Sequence, residues 1–280
     1  MTNEAVGELF DLVIDPNRTT GAFFRELLRY RELFWFLAWR DILVRYKQTV
    51  IGVAWSVVRP FLTMLVFTIV FGRLAKLPSE GAPYPILVFS AMLPWQYFAN
   101  AMQESANSLI EGSRLISKVY FPRLIVPTSS VIVSAVDFLI SMALLGLLML
   151  WYGFAPSPLI VLLPLFFLLA TMAALGVGYW LSALNVKYRD FRYVVPFLVQ
   201  FGLYVSPVGF SSSVVPDKWR LLYSVNPMVG VIDGFRWCIQ GTSTSLYLPG
   251  FLISAVVSTL LFLSGVWFFR RTERFFADFL

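Results

Sequence analysis

Six stretches of the chain are apolar for about the length a helix needs to cross a hydrocarbon core of roughly 30 Å. They are Val50–Phe71, Ile86–Met102, Ile125–Trp151, Leu159–Leu184, Val194–Phe210 and Leu248–Phe269. The second and fifth hold only 17 residues each, so their edges extend most readily into flanking polar residues. The alternating segments of ~10 residues that mark an outer-membrane barrel are absent. The pattern predicts an all-α integral membrane protein with six transmembrane helices.

The polar connections add detail. Ahead of the first span, Phe23–Gln48 is helical in pattern but too charged to cross a bilayer. Arg25, Arg29, Glu32, Arg40 and Lys47 fall near one face, interrupted by Phe36. Leu27, Leu28, Phe34, Trp35, Leu37, Ala38 and Trp39 make up the apolar remainder. This predicts an amphipathic helix in the cytoplasmic interface, serving as a topological anchor or as a docking surface. Residues 1–48 form an N-terminal cytoplasmic region and 49–280 a single membrane domain, with 270–280 as its tail.

Gln103–Arg123, between the second and third spans, is longer than a connection requires. Its Leu109, Ile110, Leu115, Ile116 and Phe121 face the cytosol unless a partner or the base of the bundle covers them. Between the fifth and sixth spans, 211–247 carries two short helical signals. The first opens at Pro216–Asp217. The second has Asn226 as N-cap, Pro227 at the first helical position and Gly241 where the chain should leave the helix. Asp233, Arg236 and Gln240 make the second too polar to span, which predicts an outer-side helical hairpin.

Charge sets the orientation. Sixteen Lys and Arg fall in the N-terminal region, the second and fourth connections and the tail, against five on the opposite side. Cytoplasmic loops hold the basic excess, so both termini are expected in the cytoplasm. The acidic start, with no Lys or Arg before Arg18, does not read as a signal peptide. Arg59 stands within the first span and Asp137 within the third. An ionisable residue at such a position is functional by default, or paired for structure; the sequence leaves their proximity open.

Composition excludes several classes. Apolar residues make up 58% and charged residues 14%, with mean hydropathy +0.74. A soluble domain has ~45–50% apolar and ~25% charged residues, and disordered chains are poorer still in apolar ones. The net charge of +6 lies in clusters between apolar runs, which argues against a nucleic-acid surface. With no histidine and one cysteine, Cys238, metal sites and internal disulfides are not expected. No G-x-x-x-x-G-K-[ST] occurs to cradle nucleotide phosphates. Aromatics are plentiful: 27 Phe, 12 Tyr and 9 Trp. In the fifth span Tyr193, Phe197, Phe201 and Tyr204 recur on one helical face. Such a face suits the apolar sides of sugar rings, and equally suits helix packing or lipid. Trp95 and Tyr97, beside Pro94, share that ambiguity.

Several segments carry a family resemblance: Arg40–Trp55, Leu93-Pro-Trp-Gln-Tyr-Phe98, Leu109–Arg123, Asn185-Val-Lys-Tyr-Arg-Asp190 and Tyr223-Ser-Val-Asn-Pro-Met228. In this order and spacing the chain resembles the type-2 ABC exporter permeases, more closely those exporting O-antigen, capsule or teichoic polysaccharides. The resemblance implies a homodimer in the bacterial cytoplasmic (inner) membrane above two ABC ATPase subunits. These partners would hold ATP and Mg, leaving this chain with no cofactor. The family's coupling helix maps onto Asn107–Tyr120, and the second cytoplasmic contact onto Asn185–Arg192. Leu109, Glu111, Leu115, Lys118, Phe121, Arg123, Lys187 and Asp190 are then the expected ATPase contacts. The outer gate helices map onto Asp217–Tyr223 and Pro227–Gln240, with Trp219, Asn226, Pro227 and Phe235. Tyr193, Phe197, Phe201 and Tyr204, with Trp95 and Arg59, are the expected lining for a lipid-linked polysaccharide. The alternatives are an ABC-2 exporter of another substrate, a transferase acting on lipid-linked sugars, and a secondary transporter. For the transferase, Asp190 and Asp233 fall on opposite sides of the membrane; the secondary transporter lacks intramembrane acids and an inverted repeat.

Overall fold

The computed structural model describes residues 28–47, 52–78, 81–116, 118–188, 190–241, 246–273 and 276. Among them every regular element is helical. Four helical segments are long and apolar enough to cross a membrane: Ala54–Leu74, Ile125–Trp151, Pro158–Lys187 and Leu248–Thr272. The apolar helix Phe191–Val205 is shorter. Most of the expected N-terminal region (1–27) and nearly all of the tail beyond Glu273 lie outside the described residues.

Helix α1 covers Arg31–Lys47, and α2 covers Gly52–Phe67 before loosening into a π-helical turn at Thr68–Leu74. Then come α3 (Tyr84–Glu111), the single turn α4 (Ser113–Ile116) and α5 (Ile125–Trp151). A 3-10 turn at Pro158–Leu162 leads into α6 (Leu163–Lys187), followed by α7 (Phe191–Val205). The short α8 (Asp217–Tyr223), α9 (Pro227–Gln240) and α10 (Leu248–Thr272) complete the chain.

The longest apolar run, α5, keeps the bounds its sequence predicts. Two others change. The second expected span, Ile86–Met102, is part of α3, which continues through Glu104 because nothing breaks the helix before Gly112. Its 28 residues measure about 42 Å, more than a hydrocarbon core requires. The fifth expected span ends early, at Val205. Ser206 is extended there, with ψ 151°, as the residue before a proline prefers.

At the centre lies α3, packed between α5 and α6 and also touching α2, α7 and α9. Helix α1 lies across α5. Its Leu37 and Ala38 are buried inward, while Trp35, Phe36, Trp39, Leu43 and Val44 stay exposed. Helices α6 and α10 cross most closely of all: a Cβ on Gly265 would overlap the Gly176 carbonyl. Alongside, the Trp180 ring stacks on Phe268 at 3.8 Å.

The expected outer hairpin is only half external. Helix α8 has no buried residue, whereas α9 buries eleven of its fourteen among α3, α6 and α10. Arg236 and Asp233 tolerate this because they are bonded; Gln240 is buried with neither side-chain polar atom hydrogen-bonded among the described residues. The fully buried Arg236 donates from Nε to Leu87 O at 3.3 Å, from Nη1 to Phe210 O at 2.8 Å and from Nη2 to Val208 O at 3.1 Å. Ser212 Oγ donates to the Asp233 carboxylate at 2.6 Å. Polar groups that exclude α9 from spanning thus fix it inside the protein instead.

Candidate functional site

Helix α7 is the least embedded of the longer helices, with Val195 its single buried residue. Tyr193, Phe197, Phe201 and Tyr204 are 78%, 62%, 57% and 66% exposed. These rings therefore pack against nothing substantial in their own subunit. Phe197 and Phe201 stack in parallel, centroids 5.9 Å apart. The opposite side of α7 is seated on α3 at Gly202, where a Cβ would come within 2.5 Å of Trp95.

Trp95 is therefore not brought to the aromatic face. It is buried behind α7, with Phe98 at 5.6 Å, so its place is that of a support. Tyr97 is also internal, its hydroxyl hydrogen-bonded to Thr171 Oγ1 at 2.8 Å. Arg59 is exposed on α2, in helical register with the exposed Trp55, Leu62 and Val66.

Asp137 is satisfied by other residues. Its Oδ2 is 2.7 Å from Arg45 Nη2, and its Oδ1 accepts from Tyr46 Oη at 2.5 Å and Ser56 Oγ at 2.8 Å. Arg45 Nη1 also pairs with Glu104, whose other oxygen accepts from Ser134 Oγ at 2.8 Å. One guanidinium on α1 thus bridges carboxylates on α3 and α5.

The expected coupling helix, Asn107–Tyr120, is divided. Helix α3 ends at Glu111, Gly112 turns the chain, and α4 supplies one helical turn before an irregular stretch from Lys118 to Leu124. Ile116, Lys118, Val119, Tyr120, Phe121 and Arg123 line a groove there, with Val119 and Tyr120 exposed. Leu109 and Phe121 are buried, Leu115 is half-buried, and Glu111, Lys118, Lys187 and Asp190 are exposed. Asn185 Nδ2 donates to Ala106 O at 3.1 Å and Asn107 Oδ1 at 3.2 Å, which draws the two expected contact regions together. Desolvation and neighbouring Asp41 push the Glu111 carboxyl above its ordinary pKa, and Arg192 opposes them. Asp41 of α1, the end of α3 and the start of α7 therefore share one electrostatic neighbourhood.

Arg123 is turned inward. Its amide donates to Glu273 Oε1 and its Nη1 to Glu273 O, both at 2.8 Å, and its guanidinium lies 5.9 Å from the Phe276 ring. Among the expected gate residues, Trp219 is exposed, with Lys218 Nζ 5.9 Å from its ring. The other three belong to the interior framework. Asn226 Oδ1 accepts from Met228 N at 3.0 Å as the cap of α9, and its Nδ2 donates to Ser206 Oγ at 3.0 Å. Pro227 opens the helix behind it. Phe235 is wholly buried, edge-on to Phe138 at 5.9 Å.

Sequence reasoning missed Arg45, Glu104 and Glu273, and it named Asn185 and Arg236 without their buried hydrogen bonds. Asp137 was the available signal for the first two, since a carboxylate that deep needs a cation and hydroxyl donors nearby.

The sequence profile of the ABC-2 type transporter family matches residues 32–240. The chain is 29% identical over 254 residues to the O-antigen export system permease protein RfbA of Myxococcus xanthus, covering 90% of this chain and 96% of that protein. Two proteins of the same name from Klebsiella pneumoniae are 27% and 25% identical, over 243 and 248 residues. Each alignment covers 86% of this chain and 92% of the relative. With three-quarters of its length inside the family profile, the chain belongs to the ABC-2 type transporter family.

Proposed function

We propose that the chain is the membrane permease subunit of an ATP-driven exporter that moves a lipid-linked polysaccharide outward across the bacterial cytoplasmic membrane. The observation that carries this reading is its end-to-end likeness to O-antigen export permeases, 96% of one relative being covered. Helices α2, α3, α5, α6, α7 and α10 are the six spans, with both termini cytoplasmic. Two copies face each other, and two separate ATPase subunits dock beneath. Exposed Glu111, Lys118, Lys187 and Asp190, with half-buried Leu115, are the contacts those subunits push on. The route lies along the outward face of α7. Flat rings stack on sugar faces without gripping any one unit, which lets a long chain slide. Arg59, exposed on α2, meets an anionic group or the second copy. Helix α8 and Trp219 form the outer lip.

Reconstitution with the cognate ATPase tests the reading. ATP-dependent movement of a lipid-linked glycan into vesicles, at a stoichiometry of two permeases to two ATPases, is the expected result. ATP hydrolysis by the purified chain alone, or reaction of a cysteine at Asp190 with an impermeant reagent from outside, would overturn it.

A further inference from the structure

We propose that Arg45 is a positioning residue for transport: a guanidinium latch that holds the cytoplasmic halves of α3 and α5 together and fastens α1 to both. The proposal rests on the exporter reading above.

Position gives the first reason. Glu104 stands about 30 Å along α3 from Tyr84, the depth of a hydrocarbon core, and α3 runs on for roughly 10 Å to Glu111. Asp137 is about 18 Å above the start of α5 at Ile125. Below the latch, then, α3 and α5 continue as a two-helix stalk with the Gly112–Leu124 loop at its tip. Force on that loop has two outcomes: the stalk tilts as one body, or α3 splays from α5. Arg45 sits at the root of the stalk, where that choice is made.

Charge gives the second reason. Two carboxylates on different helices share one cation, and three hydroxyls bond to their oxygens: Tyr46 and Ser56 to Asp137, Ser134 to Glu104. The Ser56 bond extends the tie to the start of α2. Among the described residues, the charged and titratable groups bonded to the cluster or near it come from four helices. Helix α1 contributes Arg45 and Tyr46, and α5 contributes Asp137. Helix α3 contributes Glu104 and, two turns away, Tyr97. Helix α2 offers the Ser56 hydroxyl, its Arg59 being exposed a turn further on. Without Arg45 two carboxylates are left to repel across the α3–α5 seam, and a proton on one of them is the available substitute for the lost cation.

That substitution supplies the test. In the reconstituted transporter, Arg45→Gln should export about tenfold less glycan per ATP hydrolysed near pH 8, a loss within the usual range of coupling energies. Acidification to about pH 6, which favours a proton shared by the two carboxylates once the cation is gone, should restore part of it. Adding Glu104→Gln to Arg45→Gln should restore coupling at both values, while the wild type stays flat. In parallel, spin labels at Trp39 and Glu111 of the full chain in nanodiscs, with Cys238→Ser, report the α1–α3 distance without transport. The distribution should be narrow in the wild type, broad for Arg45→Gln near pH 8, and narrow again near pH 6. A narrow distribution for Arg45→Gln near pH 8, or unchanged export per ATP with only less folded protein, would overturn the latch. Absence of ATP-driven export by the wild type would instead count against the exporter reading, and the distances would still decide the latch.

Discussion

Helices α7 and α9 are of similar length, both are rich in apolar residues, and both carry expected functional residues, yet the fold treats them oppositely. Helix α9 buries eleven of its fourteen residues, and its Arg236 alone is bonded to two neighbouring segments. Helix α7 buries one of fifteen and turns a row of rings outward. Residues on α9 are therefore tied to stability, whereas the outer face of α7 is free to meet something outside its own subunit. Aromatic content does not separate the two roles; burial does.

The contrast can be tested from its strongest end. Arg236→Met takes the guanidinium donor from the buried carbonyls of Val208 and Phe210, while Leu87 O still accepts from Ser90 Oγ. At ~1–3 kcal/mol for each unsatisfied group, the expected result is loss of folded protein, measured by thermal melting in detergent. Trp95→Ala removes the pad beneath Gly202 and should cost about 3 kcal/mol; α7 loosens, and export falls with stability. Asn226→Ala, which deletes the cap of α9, should cost about 1 kcal/mol in the same melt. At the weak end, Phe197→Leu with Phe201→Leu should change stability by no more than about 0.5 kcal/mol, as exposed substitutions do. Export should nevertheless slow, because leucine removes the flat ring faces. Normal export by this double variant would break the comparison, as would its failure to fold.

Much of the fold was legible from sequence. The long apolar run of α5 needed only its composition, and the cap of α9 was written in Asn226, Pro227 and Gly241. The depth of α9 was not, because Asp233 and Arg236 suggest water until their partners are known, and Gln240 is buried without a side-chain hydrogen bond among the described residues. Those partners lie up to 149 residues away in sequence, and spacing along one helix carries no trace of them. The same holds for Arg45: in sequence it belongs only to the basic excess of the N-terminal region, and packing of α1 across α5 shows the two carboxylates beside it. At the candidate site, spacing found the row of rings on α7 but not that Trp95 lies behind it, since both alternatives obey the same aromatic pattern.

The crossing of α6 and α10 has a consequence for motion. Backbone meets backbone at Gly176 and Gly265, so neither helix can slide or roll past the other without collision. The pair behaves as a single strut. Its outer end is pinned to α9, where Ser254 Oγ accepts from Gly230 N at 3.1 Å and donates to Ser224 O at 2.8 Å. A strut that cannot shear transmits displacement instead of absorbing it. Any widening of a route therefore falls to the two sparsely buried helices, α2 and α7, which swing while the strut stands still.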